Sequence, residues 1–476
     1  MNETIAAVAT AYGEGGIGII RISGDRAGEI LAKVFVPGKA ENDGCADGCG
    51  EKCSGAAAFE TALAGRRLAY GTVRSMESGN VLDEAMAVFM RGPKTYTGED
   101  VAEIQCHGSV ISLRQVLDEI LAAGARLAEP GEFTRRAFLS GRLDLSQAEA
   151  VIDLIRSESD KGHEAALKQL SGSVSLEMKK LREALMEQLI LLAVNMDYPD
   201  EDIELATLEN LKAGLIPVKE QIDSLIASAE QGKIYREGIA AAIAGRPNVG
   251  KSSLLNALLK EERAIVTDIP GTTRDTIEER VSIGGFPLRL TDTAGIRDTE
   301  NVIERIGIER SHQALAEADV IFFLVDGHEP LTEQDRELAK SLDASKTLLL
   351  INKGDLQQVV TREEAEELLP GAQIVQLSAK ERQGIADLED LIVERIFGGK
   401  MKQGSSTVIT SLRQKDALRR SGEALQDALD AVDRAETLEL IEVDVRRCWE
   451  LLGEISGETA SEDIIDRVFE RFCLGK

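Results

Sequence analysis

The stretch Gly245-Arg246-Pro247-Asn248-Val249-Gly250-Lys251-Ser252 lies between the apolar run Ile239–Ala244 and a helical run at 253–259. Glycines at this spacing, a Lys-Ser pair and a strand–loop–helix setting define a phosphate-binding P-loop. The glycines let successive backbone N–H groups wrap a β-phosphate, and the helix N-terminus adds a favourable dipole. Lys251 is expected at the β- and γ-phosphates and the Ser252 hydroxyl on Mg²⁺, with Asn248, Val249, Gly250 and Ser253 completing the phosphate cradle.

Working outward, four further motifs follow in order. Thr267-Asp268-Ile269-Pro270-Gly271-Thr272-Thr273 reads as a switch whose Thr273 hydroxyl completes the Mg²⁺ shell when a triphosphate is bound. Asp292-Thr293-Ala294-Gly295 follows the apolar run 288–291; Asp292 would hold Mg²⁺ through water, and the Gly295 N–H would sense the γ-phosphate. Asn352-Lys353-Gly354-Asp355 follows the run 347–351, and Ser378-Ala379-Lys380 follows the run 374–377. Asp355 can accept from both N1–H and the 2-amino group of guanine. Adenine has neither donor, and sites built on such bonds discriminate by ~10⁴ or more. The nucleotide is expected to be GTP. Ile296 stands where Ras-like switches carry a water-positioning Gln, so another polar residue must orient the attacking water. Arg297, Asp298, Glu300 and Glu304 are the local candidates.

The 476-residue chain has the length of about three domains. Short β-like runs (5–10, 17–23 and Val81–Met90) alternate with turns through residue 140, which predicts an α+β domain. Helical spacing of Leu181, Leu185, Leu189 and Leu192 predicts an all-α region over 141–237, with one helix stopping near Gly232. Helical texture resumes at 412–445 and 461–472. Between these blocks, residues 238–397 alternate strands and amphipathic helices, as in a doubly wound parallel sheet. The expected architecture is therefore an α+β domain (1–140) and a helical domain (141–237 and 398–476) into which an α/β P-loop GTPase domain (238–397) is inserted.

The formal net charge is −28, and no domain is a basic platform: 15 basic face 21 acidic side chains in residues 1–150, and 18 face 29 in residues 238–397. This excludes tight nucleic-acid binding driven by charge alone, and only a local basic patch is expected, around 413–420. No apolar run approaches the ~18–20 residues of a membrane span. The first twenty residues lack a basic n-region, so the cytoplasm is the expected location. Six cysteines in a chain this long form no disulfide framework. Cys45, Cys49 and Cys53 lie in a Gly/Ala-rich stretch that reads either as a loop or as a metal site lacking a fourth ligand.

The order of these motifs, with Glu304-Arg305-Ile306-Gly307-Ile308-Glu309-Arg310, resembles the tRNA modification GTPase family MnmE (TrmE). The resemblance extends to Thr97-Gly98-Glu99-Asp100, Cys106-His107-Gly108, Pro130-Gly131-Glu132-Phe133, 143–149 and Cys473-Leu474-Gly475-Lys476. Residues 38–58 look like an insertion relative to the family pattern. The resemblance implies a homodimer formed through the N-terminal domains and a flavoprotein partner, MnmG, which carries the FAD. It implies modification of C5 of the wobble uridine of certain tRNAs with an aminomethyl or carboxymethylaminomethyl group, using a 5-formyl or 5,10-methylene tetrahydrofolate derivative. It also implies K⁺ at Asn248, Thr267, Ile269 and Thr272, and Glu304 as the residue that orients water. Folate contacts map onto Arg21, Glu103, Arg142 and Lys476. Cys473 is then either a nucleophile or acid–base partner, or a packed thiol beside a terminal anchor.

Overall fold

The computed structural model describes residues 3–11, 13–38, 66–197, 208–261, 278–292, 313–397, 407–472 and 475. The chain divides into two compact units, Met1–Ile152 with Gly453–Lys476, and Asp153–Leu452.

The first unit is built on a seven-stranded sheet. Its strands are β1 (Ile5–Val8), β2 (Gly15–Ser23), β3 (Phe35–Pro37), β4 (Ala69–Arg74), β5 (Val81–Met90), β6 (Val101–Gly108) and β7 (Arg126–Leu127), in the order β3-β4-β5-β6-β2-β1-β7. All pairs are antiparallel except β1–β7. Alternation sends Ile20, Ile22, Ala102, Ile104 and Cys106 into a core against the helices Ala27–Val34 and Val110–Ala122. The opposite side chains of β1, Ile5 and Ala7, pack instead on Phe133, Ala128 and Tyr96. A third cluster joins Leu145, Ala148 and Ile152 to Val468, Phe469 and Phe472. The terminal helix Glu462–Phe469 therefore packs within this unit.

The second unit holds the P-loop domain and most of the helical domain. Strands β8 (Ile239–Ala244), β9 (Glu278–Ile283), β10 (Phe286–Asp292), β11 (Val320–Asp326), β12 (Thr347–Asn352) and β13 (Gln373–Gln376) form a sheet in the order β13-β12-β11-β8-β10-β9. Five strands are parallel, and every residue of β11 and β12 is buried. Such strands read as continuous apolar runs because helices cover both faces; Phe322 and Leu324 enter one core, Phe323 and Val325 the other. The antiparallel edge strand β9 departs from the all-parallel expectation. Its sequence, Glu-Glu-Arg-Val-Ser-Ile, is too charged to read as a buried strand, and it joins β10 through Gly284 and Gly285, both at positive φ. A two-residue link with both φ positive is a hairpin turn that glycine favours.

The helices Asp160–Leu170, Ser173–Asp197, Leu208–Glu237, Leu412–Asp433 and most of Leu438–Ser456 supply the helical part of the unit. Leu208–Glu237 and Leu412–Asp433, which flank the P-loop domain in sequence, pack directly on each other. The first runs straight through Gly232, where a helix stop was expected. A Cβ at Gly232 would collide with the Ile409 carbonyl, so the glycine serves a close approach between backbones. Among the described residues no helix is long and apolar enough to cross a membrane.

Candidate functional site

The P-loop turns between β8 and the helix Lys251–Glu261 with Gly245, Asn248 and Gly250 all at positive φ. Only a glycine fits position 250, where a Cβ would run into the Asn352 amide. Lys251 is folded over the loop, donating to the carbonyls of Gly245 (2.5 Å) and Arg246 (3.0 Å). The Asn248, Ser252 and Ser253 side chains are exposed, whereas Val249 is buried in the core.

Two strands away, Asn352 at the end of β12 ties three motifs together. Its Nδ2 donates to the Val249 carbonyl (2.8 Å), and its Oδ1 accepts from the Ala379 N–H (3.0 Å). Asp355 is exposed and its Oδ1 accepts from the Ser378 hydroxyl (2.6 Å), which holds this carboxyl below its ordinary range. The Ser378 hydroxyl in turn accepts from the Glu381 N–H at 3.2 Å, while the Lys380 side chain is exposed. The loops expected to read the base and to bind phosphate are thus joined through one amide side chain.

A second tie centres on a residue that the sequence analysis does not single out. Buried Asp326, at the end of β11, accepts from Lys353 Nζ (2.5 Å) and lies 4.0 Å from the Arg246 guanidinium. Arg246 pairs with Glu329 at 2.7 Å and lies 3.5 Å from buried Asp335, which caps the helix Glu333–Lys340. The apolar run before Asp326 marks a strand, and the C-terminal strand edge where ligands bind in open α/β sheets is the signal that could have found it.

Asp292 ends β10. The expected residues Thr267, Asp268, Ile269, Pro270, Gly271, Thr272, Thr273, Thr293, Ala294, Gly295 and Glu304 lie outside the described residues, as do Cys45, Cys49, Cys53, Cys473 and Lys476.

The other expected site lies on the face of the first unit's sheet opposite the β2/β6 core. Arg21 on β2 and Glu103 on β6 are cross-strand partners, and Arg21 Nε donates to Glu103 Oε1 at 2.8 Å. The Arg21 guanidinium carbon lies 5.4 Å from the Tyr96 ring centroid and 5.8 Å from that of Phe133. Arg142 approaches the same tyrosine, 5.0 Å from its ring, and donates through Nη1 to its carbonyl at 2.5 Å. Two of the four expected folate contacts, Arg21 and Arg142, therefore meet one aromatic side chain, and a third, Glu103, is bonded to Arg21. Tyr96 itself was missed, although it stands beside the Thr97-Gly98-Glu99-Asp100 motif in a chain with few aromatics. Gly475, between Cys473 and Lys476, lies against Val8 and Ala9; a Cβ there would meet the Val8 carbonyl. Val8 is the β1 neighbour of Ala7, which pairs with Arg21.

The surrounding motifs brace this face. Ser23 shares a 2.7 Å hydrogen bond with Thr97 and donates to Glu99 at 2.8 Å; Arg136 also donates to Glu99 at 2.8 Å. Burial alone would raise the Glu132 carboxyl, yet Arg126, the Glu129 N–H and Arg136 together hold it below its usual range. Cys106 is a core thiol pushed up to about 11, chiefly by burial and then by Asp83. His107 Nδ1 and Asp83 Oδ1 are 2.6 Å apart. Around 413–420, Lys415 pairs with Glu230, Arg419 with Asp416 and Glu423, and Arg420 lies 4.0 Å from Asp416, so the conceived basic patch is laced with acids.

Comparison with known proteins identifies the family. The family model for the GTP-binding protein TrmE N-terminus matches residues 4–142, and the MnmE helical domain model matches residues 145–473. The chain belongs to the MnmE family. It is 47% identical over 477 residues to the tRNA modification GTPase MnmE of Geobacillus kaustophilus, covering 100% of this chain and 99% of that one. Identity to the proteins of the same description from Clostridioides difficile and Bacillus subtilis is 45% and 43%, covering 100% of both chains in each case. The architecture is that of an α+β TrmE N-terminal domain, a helical domain and an α/β P-loop GTPase domain.

Proposed function

We propose that this chain is a K⁺-dependent GTPase of the cytoplasm that modifies tRNA together with an MnmG-like flavoprotein. The pair would install an aminomethyl or carboxymethylaminomethyl group at C5 of the wobble uridine of certain tRNAs, drawing one carbon from a tetrahydrofolate derivative. The observation that carries the nucleotide half is Asp355, oriented by Ser378, on a loop that Asn352 ties to the P-loop. A fixed, ionised carboxylate at that position selects guanine over adenine by the two hydrogen bonds it accepts.

Hydrolysis of GTP breaks the bond between the γ-phosphorus and its bridging oxygen, with water as nucleophile. Lys251 is placed to leave its carbonyl partners for the phosphates and to stabilise charge on the departing GDP. Glu304 orients the water that Ile296 cannot. Ser252 and Thr273 are the side chains for Mg²⁺, with Asp292 acting through water; Asn248 and the 267–272 segment, through Thr267, Ile269 and Thr272, are the partners for K⁺. The exposed Asn248 side chain at the rim of the P-loop is an oxygen donor of the kind a hard cation takes. These ions would supply positive charge as the phosphoryl group transfers.

In the first unit, Arg21 holds the Glu103 carboxylate in place for the amino-pyrimidine edge of a pterin. Arg142, with Lys476, would meet an anionic tail. The chain works as a homodimer through its N-terminal domains, and the G domain is an insertion in the helical domain. Mass spectrometry of wobble nucleosides from a deletion strain tests this reading. The C5-modified uridine should disappear and return on complementation; unchanged levels would overturn the assignment.

A further inference from the structure

We propose that Tyr96 is the positioning residue of the first unit's anion-binding face, setting Arg21 and Arg142 for a folate; this rests on the folate reading above. Tyr96 is fixed from three directions. Its hydroxyl shares a 2.9 Å hydrogen bond with Thr134, its carbonyl accepts from Arg142, and its ring packs on the cluster of Ile5, Ala7, Ala128 and Phe133. Both guanidiniums lie within 5.4 Å of its centroid. An aromatic face attracts a cation without neutralising it.

The two arginines differ in what else they touch. Arg21 is committed to Glu103 at 2.8 Å. Arg142 is exposed and, among the described residues, forms no ion pair; Tyr96 supplies both its ring contact and its hydrogen-bond acceptor. An oriented cation that keeps its full charge is an anion receptor, and carboxylates are the groups a planar guanidinium fork meets best. Tyr96 therefore governs recognition of the ligand's anionic tail through Arg142, and steadies the Arg21–Glu103 pair that faces its ring system.

The test is calorimetric titration of the full chain with 5-formyltetrahydrofolate and with a pteroate analogue lacking the glutamate tail. Tyr96→Leu should weaken binding of the complete folate about tenfold, from two lost cation–π contacts, and the tail-less analogue by a smaller factor. Tyr96→Phe keeps the ring and should remain within about twofold of wild type. If Tyr96→Leu melts early, Tyr96→Met fills similar volume without a π-face and replaces it. Equal losses for both ligands, or wild-type affinity in the ring-less variants while Arg142→Ala binds weakly, would overturn the role of Tyr96 alone. Absence of binding by the wild-type chain would instead overturn the folate reading, and this inference with it.

Discussion

On the proposed function, Asp355 concentrates the chemistry of base selection in one carboxylate. Ser378 donates to it and lowers its pKa, so at neutral pH the group is ionised and aimed. Asp355→Ala should reduce GTP affinity by on the order of 10⁴, the range lost when a hydrogen-bond-reading site is disarmed; fluorescent-nucleotide titration reads this directly. The pH dependence follows from the direction of the shift. A depressed carboxyl stays charged through the ordinary carboxylate range, and its contribution is lost only as pH falls through the lowered pKa. Ser378→Ala should therefore move the acid limb of GDP binding to higher pH. An unchanged limb would show that Ser378 does not set the ionisation of Asp355. For catalysis, Glu304→Ala should retain nucleotide affinity and lose turnover, whereas collapse of both would make Glu304 structural.

Elements show where local sequence speaks and where tertiary context overrides it. β8 (Ile239–Ala244) and β5 (Val81–Met90) coincide with their apolar runs, because side chains buried on a sheet must be apolar whatever surrounds them. β9 escaped notice because an edge strand faces water and tolerates charge. Gly232 does not stop its helix, although glycine usually ends one, because its real constraint, the Ile409 backbone, comes from 177 residues downstream. Tyr96 was silent for the same reason: a ring carries no sign of which cations will reach it. Two glycines on the helix Leu208–Glu237 turn this into a measurement. Gly232→Ala gains about 1 kcal/mol of helix propensity but drives a methyl into a main-chain carbonyl, so the net effect should be a loss of about 1–3 kcal/mol. Gly214→Ala meets only the far end of the Gln188 side chain, which can swing away, and should be neutral or mildly stabilising. Thermal melts of the two variants that moved together would refute the distinction between backbone and side-chain contact.

At the scale of the whole molecule, a net charge of −28 must be reconciled with membership in a family named for tRNA modification. Duplex and single-stranded phosphates are held mainly by Lys and Arg that release counterions, so affinity without a basic face is weak. The cations at Lys415, Arg419 and Arg420 lie beside Glu230, Asp416 and Glu423, which removes the one local patch the sequence suggested. Exposed pairs of this kind contribute little stability, but each one cancels a charge that a phosphate would otherwise meet. Under the proposed function, the expected division of labour has the flavoprotein partner holding most of the tRNA backbone and this chain supplying the nucleotide cycle and the one-carbon site. Filter binding of tRNA to the isolated chain should accordingly be weak at low salt and lost near physiological ionic strength, where the Debye length has fallen to about 8 Å. Adding the partner should restore affinity with a steeper salt slope, since the new contacts are its cations. Tight, salt-insensitive binding by this chain alone would place the tRNA here, on contacts made by bases and hydrogen bonds instead of charge.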